Sequence, residues 1–202
     1  GILFCVDAIQ HLGALPFDAQ AFHADFVMAD AHKWLLAPEG IALFYVRPEV
    51  RERIRLLEYG WHMLDDAGDF ADYALTPAAG ARRFEPGSPN LLGIHALHAS
   101  LSLLLEAGLD TIEKQIDQHW LQLHQGLIDL GARVLTPTDR HAGILTFLPP
   151  SGDTGSLFTH LQHSGVLCAQ RGGGIRWSPH FYLEPAVLDH ALQQVALWAR
   201  DR

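Results

Sequence analysis

The sequence predicts an α/β fold. Three observations carry that expectation: short continuous apolar runs bounded by turn residues, helical three-and-four periodicities set between them, and about half of the 202 residues apolar, enough to build a core. The first apolar run, Ile2–Val6 (ILFCV), reads as a buried strand, as do Asp25–Ala29 (DFVMA) and Ile41–Val46 (IALFYV). Strands buried on both faces in this way are typical of a parallel sheet. PEVRERIRLLEYG follows as a helix, with Pro48 in its first turn and Gly60 past its end. From Gly60 to Asn90 the pattern dissolves into Gly, Asp, Ala and Pro, and a loop of that length inside a compact domain is usually functional.

Two helices come next. The first spans Leu91–Ala107 and stops at Gly108; the second lines up Leu109, Ile112, Ile116, Trp120, Leu123, Leu127 and Leu130 on one face. Strands are expected at 132–135 and 143–148, a helix near 154–164, and then GVLCAQ and GIRWSPH flanking RGGG, before a last helix near Pro185. The second half is thus a smaller α/β unit.

Composition excludes several functions. Net charge is −9 and no basic run occurs, which argues against nucleic acid and anionic membrane surfaces as partners. No stretch reaches the ~20 apolar residues of a membrane span. Cys5 and Cys168 both sit in apolar runs, a usage that fits a reducing cytoplasm and offers no disulfide framework. His95/His98 and His160/His163 have helical i,i+3 spacing, but no cysteine or carboxylate cluster accompanies them, so no metal site is expected. Phosphate-loop, dinucleotide and nucleophile-elbow motifs are absent. RGGG reads as a tight strand connection, since no helix start follows it.

Chemistry gathers at a few positions. Asp7 and Gln10 follow the first strand, where open α/β sheets place ligands. His32 and Lys33 stand together between apolar segments, and a lysine so enclosed needs a partner or a shifted pKa. In order, VDAIQ, DFVMADAHKW, APEGIALFYVR, RRFEPGSPN and GGGIRWSPHFY resemble the class V aminotransferase family of pyridoxal-phosphate enzymes, which includes cysteine desulfurases, selenocysteine lyases, kynureninases and isopenicillin N epimerase. The likeness covers nearly the whole chain.

The resemblance implies a PLP-dependent transferase-like fold (fold type I). Residues 1–92 would be the latter part of the cofactor-binding large domain, with part of its sheet, and 93–202 the bridging helices and small carboxyl-terminal domain. It implies pyridoxal 5'-phosphate as cofactor, Lys33 as the Schiff-base lysine, Asp7 as partner of the pyridine nitrogen and Gln10 as partner of the 3-oxygen. His32 would lie near the phosphate, Ser88 would reach the phosphate, commonly of the partner subunit, and Arg176 would hold the carboxylate of an amino-acid substrate. A cytoplasmic homodimer is expected, catalysing transamination, lyase or racemase chemistry. The alternative is a catalytically incompetent fragment keeping only fold and dimer surface, because relatives are about twice this length and this chain opens six residues before Asp7. Two departures stand out. Asp30 replaces the serine many relatives have three positions before the lysine, and Cys168 falls in a strand-like run, unlike the nucleophilic cysteine of a desulfurase.

Overall fold

The computed structural model describes residues 1–71 and 73–200. The chain divides into two compact units, one of residues 1–13 and 17–106, the other of residues 14–16 and 107–202. This division by backbone packing falls inside the first long helix, whereas the sequence places it near residue 92.

The first unit holds a three-stranded sheet in the order β1 (Cys5–Asp7), β2 (Phe26–Asp30), β3 (Ala42–Val46). It is mixed and not all-parallel as expected: β1 and β2 run parallel, with Asp7 beside Met28, while β3 is antiparallel to β2, with Asp30 opposite Ala42. Nor are the strands buried throughout. Val27 and Ala29 are buried, Phe26 and Met28 only half so, and Phe4 and Phe44 are exposed. A continuous apolar run cannot by itself distinguish one covered face from two.

Asp25 fixes the start of this sheet. It is 4% exposed, and its Oδ2 accepts from Phe4 N–H at 2.8 Å while Oδ1 meets Arg47 Nη2 at 2.6 Å. Backbone bonds from Asp25 N–H to the Phe4 carbonyl and from Arg47 N–H to the Asp25 carbonyl run alongside. One buried carboxylate therefore joins the leads into β1 and β2 to the exit of β3.

The helix expected after β3 is a single turn, α1 (Pro48–Arg51). Only Val50 of its apolar positions is buried, and Leu57 is 74% exposed. With little surface to receive the Val50, Ile54 and Leu57 stripe, the helix has little support beyond its first turn. The 60–90 segment contains two 3₁₀ turns, Trp61–Met63 and Ala81–Phe84. Arginines pin it: Arg82 donates to the Leu64 and Asp65 carbonyls, and Arg51 to that of Ala79. Helix α2 (Leu91–Ala107) follows.

In the second unit Gly108, at φ 82°, precedes α3 (Leu109–Asp129). The strands β4 (Arg133–Val134), β5 (Leu145–Leu148), β6 (Ala169–Arg171) and β7 (Gly174–Trp177) form an antiparallel sheet in the order β4-β5-β7-β6. Helices α4 (Thr154–His163) and α5 (Pro185–Arg200) join α3 over one sheet face, burying Trp120, Leu157, Val195 and Trp198 against Leu145, Phe147, Ile175 and Trp177. Side chains of this kind contribute ~1.5–3 kcal/mol each on full burial. Asp153 caps α4 by accepting from Ser156 N–H at 3.1 Å. No single helix among the described residues is long and apolar enough to cross a membrane.

Candidate functional site

Strand β1 ends at Asp7. Its Oδ1 accepts from Ile9 N–H at 3.1 Å, which bends the chain, and its second oxygen has no partner among the described residues. Gln10, half-buried in that turn, accepts at Oε1 from Trp34 Nε1 at 3.0 Å. Because the carbonyl end takes the indole proton, the amide NH2 remains as the donor end of Gln10. The turn also meets the following loop backbone to backbone: a Cβ at Gly13 (φ 91°) would lie 2.3 Å from the Trp34 carbonyl oxygen.

That loop, residues 31–41, connects β2 to β3 and carries His32 and Lys33. It is closed by Ala31 N–H to the Ile41 carbonyl and Ala37 N–H to the Ala31 carbonyl, and contains Leu36 at φ 58°. Ala31, Trp34 and Leu35 are buried, but His32 and Lys33 are exposed. The enclosed lysine expected from the flanking apolar runs is therefore not found. The apolar neighbours turn inward and leave the ammonium in solvent, without an ion pair among the described residues.

The third segment arrives through Asn90. Its Nδ2 donates to the Gly40 carbonyl at 3.0 Å, at the far end of the lysine loop, and its Oδ1 caps α2 by accepting from Gly93 N–H at 3.0 Å. Ser88, two residues earlier, is exposed and lines a cleft of about 690 Å³ with Phe44, Phe84 and Ile94. So the first unit ties two site-bearing segments to the loop that carries Lys33: the turn after Asp7 and, at the loop's far end, the Ser88 segment. Trp34 and Asn90 do the tying. Neither was singled out from the sequence, although an asparagine three residues before the buried Gly93 is a legible helix cap.

A smaller cleft of about 190 Å³ opens at the strand ends, lined by Asp7, Ile9, Met28, Ala29, Asp30 and Ala42. Gln10, His32 and Lys33 do not line it. It presents two carboxylates, Asp7 and Asp30, and suits a cationic group better than an anion.

Arg176 belongs to the second unit. On β7 it lies opposite Thr146 of β5 and Ala169 of β6, on the face away from the helices, between the buried Ile175 and Trp177. Its Nε is buried without a hydrogen-bond partner among the described residues. Beyond it, burial pushes the His180 imidazole down to about 4, so the ring is neutral. Its Nδ1 accepts from Phe181 N–H, and its carbonyl accepts from His119 Nδ1 at 3.2 Å. His119, 1% exposed on the inner face of α3, is likewise lowered by burial and thereby holds the segment after Arg176. A cleft of about 320 Å³ nearby is lined by Trp177, His180, Tyr182 and Leu188 among others, and not by Arg176.

Cys168 lies just before β6, half-buried against the core, with Gln162 Nε2 at 3.7 Å from Sγ. Burial raises its thiol pKa. RGGG is a two-residue hairpin turn, Gly172 and Gly173 having φ of 62° and 80°. Among the described residues no group of three or more His, Cys, Asp or Glu side chains is placed to hold a metal ion.

The family model for aminotransferase class-V matches residues 1–180. An uncharacterised aminotransferase of Bacillus subtilis, YcbU, is 30% identical over 97% of this chain and 51% of its own length. A probable cysteine desulfurase of Pyrococcus abyssi is 32% identical over 74% of this chain and 37% of its own. Among solved structures, the apo cysteine desulfurase of Thermococcus onnurineus superposes with a TM-score of 0.87 at 25% identity, over 99% of this chain and 53% of that one. The chain spans about half the length of these relatives, or less.

Proposed function

The chain belongs to the class-V aminotransferase family, and on that premise we propose that it is part of a pyridoxal-phosphate enzyme acting on an amino acid, with Lys33 as the residue that carries the cofactor. The observation that supports this most is the tying of the Asp7–Gln10 turn, the Lys33 loop and the Ser88 segment into one assembly by Trp34 and Asn90.

The residues present fit the cofactor in part. Asp7, with one oxygen uncommitted, would hold the protonated pyridine nitrogen, and the Gln10 NH2 would donate to the ring 3-oxygen. Asp30 shares the Asp7 cleft, and a second carboxylate there disfavours a phosphate. The phosphate would thus lie outside that cleft, toward His32 and Ser88. When bound, pyridoxal phosphate supplies an electron sink for bonds broken at the substrate α-carbon. Arg176 would grip the substrate carboxylate with its planar fork.

Transamination, lyase and racemase chemistry remain alternatives within this reading. Sulfur transfer of the desulfurase kind is disfavoured, because it needs a reachable thiolate and Cys168 is packed against the core with a raised pKa. We propose a homodimer completed at the Ser88 segment, and a reducing cytoplasm, which the two free thiols suit.

The test is to incubate the protein with pyridoxal phosphate, reduce with borohydride and map the adduct. Modification concentrated on Lys33 is expected; equal labelling of Lys114 would remove Lys33 from this role. Alone, the 202 residues are expected to bind the cofactor weakly and to turn over no amino acid, since Lys33 stands in solvent and the described residues offer no buried cradle for the phosphate. Stoichiometric binding followed by the visible absorbance band, with turnover, would overturn that expectation.

A further inference from the structure

The sheet face that carries Arg176 holds a second arginine within reach. In the β6–β7 pairing, Ala169 lies opposite Arg176 and Arg171 opposite Gly174. Residues two apart on a strand share a face, so these four positions form a block with Arg171 and Arg176 on one diagonal and Ala169 and Gly174 on the other. Diagonal neighbours lie roughly 7–8 Å apart, within the span of two arginine side chains. The other diagonal is filled by the two smallest residues, so no bulky side chain stands between the guanidinium groups. Thr146 stands opposite Arg176 on β5 and adds a hydroxyl.

Neither arginine makes an ion pair among the described residues, and the Arg176 Nε is buried without a partner. Two unpaired cations on adjacent strands repel one another, which an anion placed between them would relieve. We propose that Arg171 and Arg176 together recognise a substrate with two anionic groups, an amino acid whose side chain ends in a carboxylate, Arg176 taking the α-carboxylate and Arg171 the distal one. This rests on the assignment of Arg176 to the substrate carboxylate.

The competing role for Arg171 is that of a charge guarding the edge strand β6 against pairing with another chain. Arg133 provides the control. By register it lies on the same face, but on β4 at the opposite edge, about three strand spacings or roughly 14 Å from Arg171, too far to share a small ligand.

Titrate the full chain with glutarate and with butyrate by calorimetry, with amide NMR spectra confirming that each variant is folded. Glutarate is expected to bind about tenfold more tightly, the gap one added charge-assisted contact gives at a partly exposed site. Arg171→Gln should erase the gap and leave butyrate unchanged, Arg171→Lys should keep part of it, and Arg133→Gln should keep all of it. Equal affinities in the native chain, a gap that survives Arg171→Gln, or one that Arg133→Gln erases equally would each overturn the pair. Arg176→Gln should weaken both anions. If both still bind as before, or if neither binds the native chain, the assignment of Arg176 itself fails and takes this inference with it.

Discussion

Trp34 donates its indole N–H to Gln10 across 3.0 Å, fastening the residue after Lys33 to the turn after Asp7. Trp34 is buried and Gln10 only partly, so the bond holds one site segment to another and does little for the core. Trp34→Phe keeps most of the apolar volume and removes the donor. It should cost about 1 kcal/mol of unfolding free energy by urea denaturation, the usual net worth of such a bond. Cofactor affinity should fall further than that stability loss implies, because Gln10 is then free to rotate. Unchanged affinity would remove Gln10 from the cofactor site.

Asp25→Ala should be the more damaging change. It strips the Phe4 N–H of its acceptor and takes from Arg47, at the exit of β3, its close buried partner, leaving only the exposed Glu49 at 3.8 Å. Removing one member of a buried pair costs ~3–5 kcal/mol, and the half-exposed Arg47 brings the expectation to about 2–3 kcal/mol. A loss under 1 kcal/mol in urea would show that water replaces the pair adequately.

Stability should fall in mild acid. In the unfolded chain a histidine takes up a proton near 6.5, whereas folded His180 does so only near 4, and His119 and His141 are shifted the same way by burial. The unfolded state thus binds more protons between those values, so the contribution is complete above 6.5 and is lost as the pH drops toward 4. The thermal midpoint should decline by several degrees over that interval, and His180→Gln should flatten the decline. A midpoint constant from pH 7 to 4.5 would contradict the buried neutral imidazole.

Cys168→Ala should leave catalysis by the complete enzyme unaltered and cost only about 1 kcal/mol in stability, since a small side chain leaves a small cavity. If the substitution abolished sulfur release from cysteine, the exclusion of desulfurase chemistry would be wrong.

The parts of the fold legible in the sequence were those specified by local period. The α3 stripe from Ile112 to Leu127 is buried as its spacing dictates, and α2, α4 and α5 start and stop near their glycines and prolines. Strand direction was not legible, because β2 and β3 have the same apolar composition whether parallel or antiparallel. The helix after Pro48 failed for a related reason. Val50, Ile54 and Leu57 have helical spacing, but spacing cannot say whether a surface exists to receive them. At the site, Asp7, Lys33 and Arg176 stood out by chemistry and resemblance. The links that organise them, Trp34 to Gln10 and Asn90 to Gly40, join residues 24 and 50 positions apart and could be found only in three dimensions.

The Gly172–Gly173 turn has a consequence for how this sequence can vary. Strand side chains alternate sides, so the length of a hairpin turn decides which way every residue on its returning strand points. Adding or deleting one residue between Arg171 and Gly174 would reverse the parity between the two strands. Either Arg171 would swing toward the helix-covered side, or Ile175 and Trp177 would be driven out of the core. The second outcome unfolds the unit, so the first must absorb the change. Length variation at this turn is therefore a mutation of Arg171 in all but name, and lineages that lengthen it should differ in what they bind before they differ in how they fold.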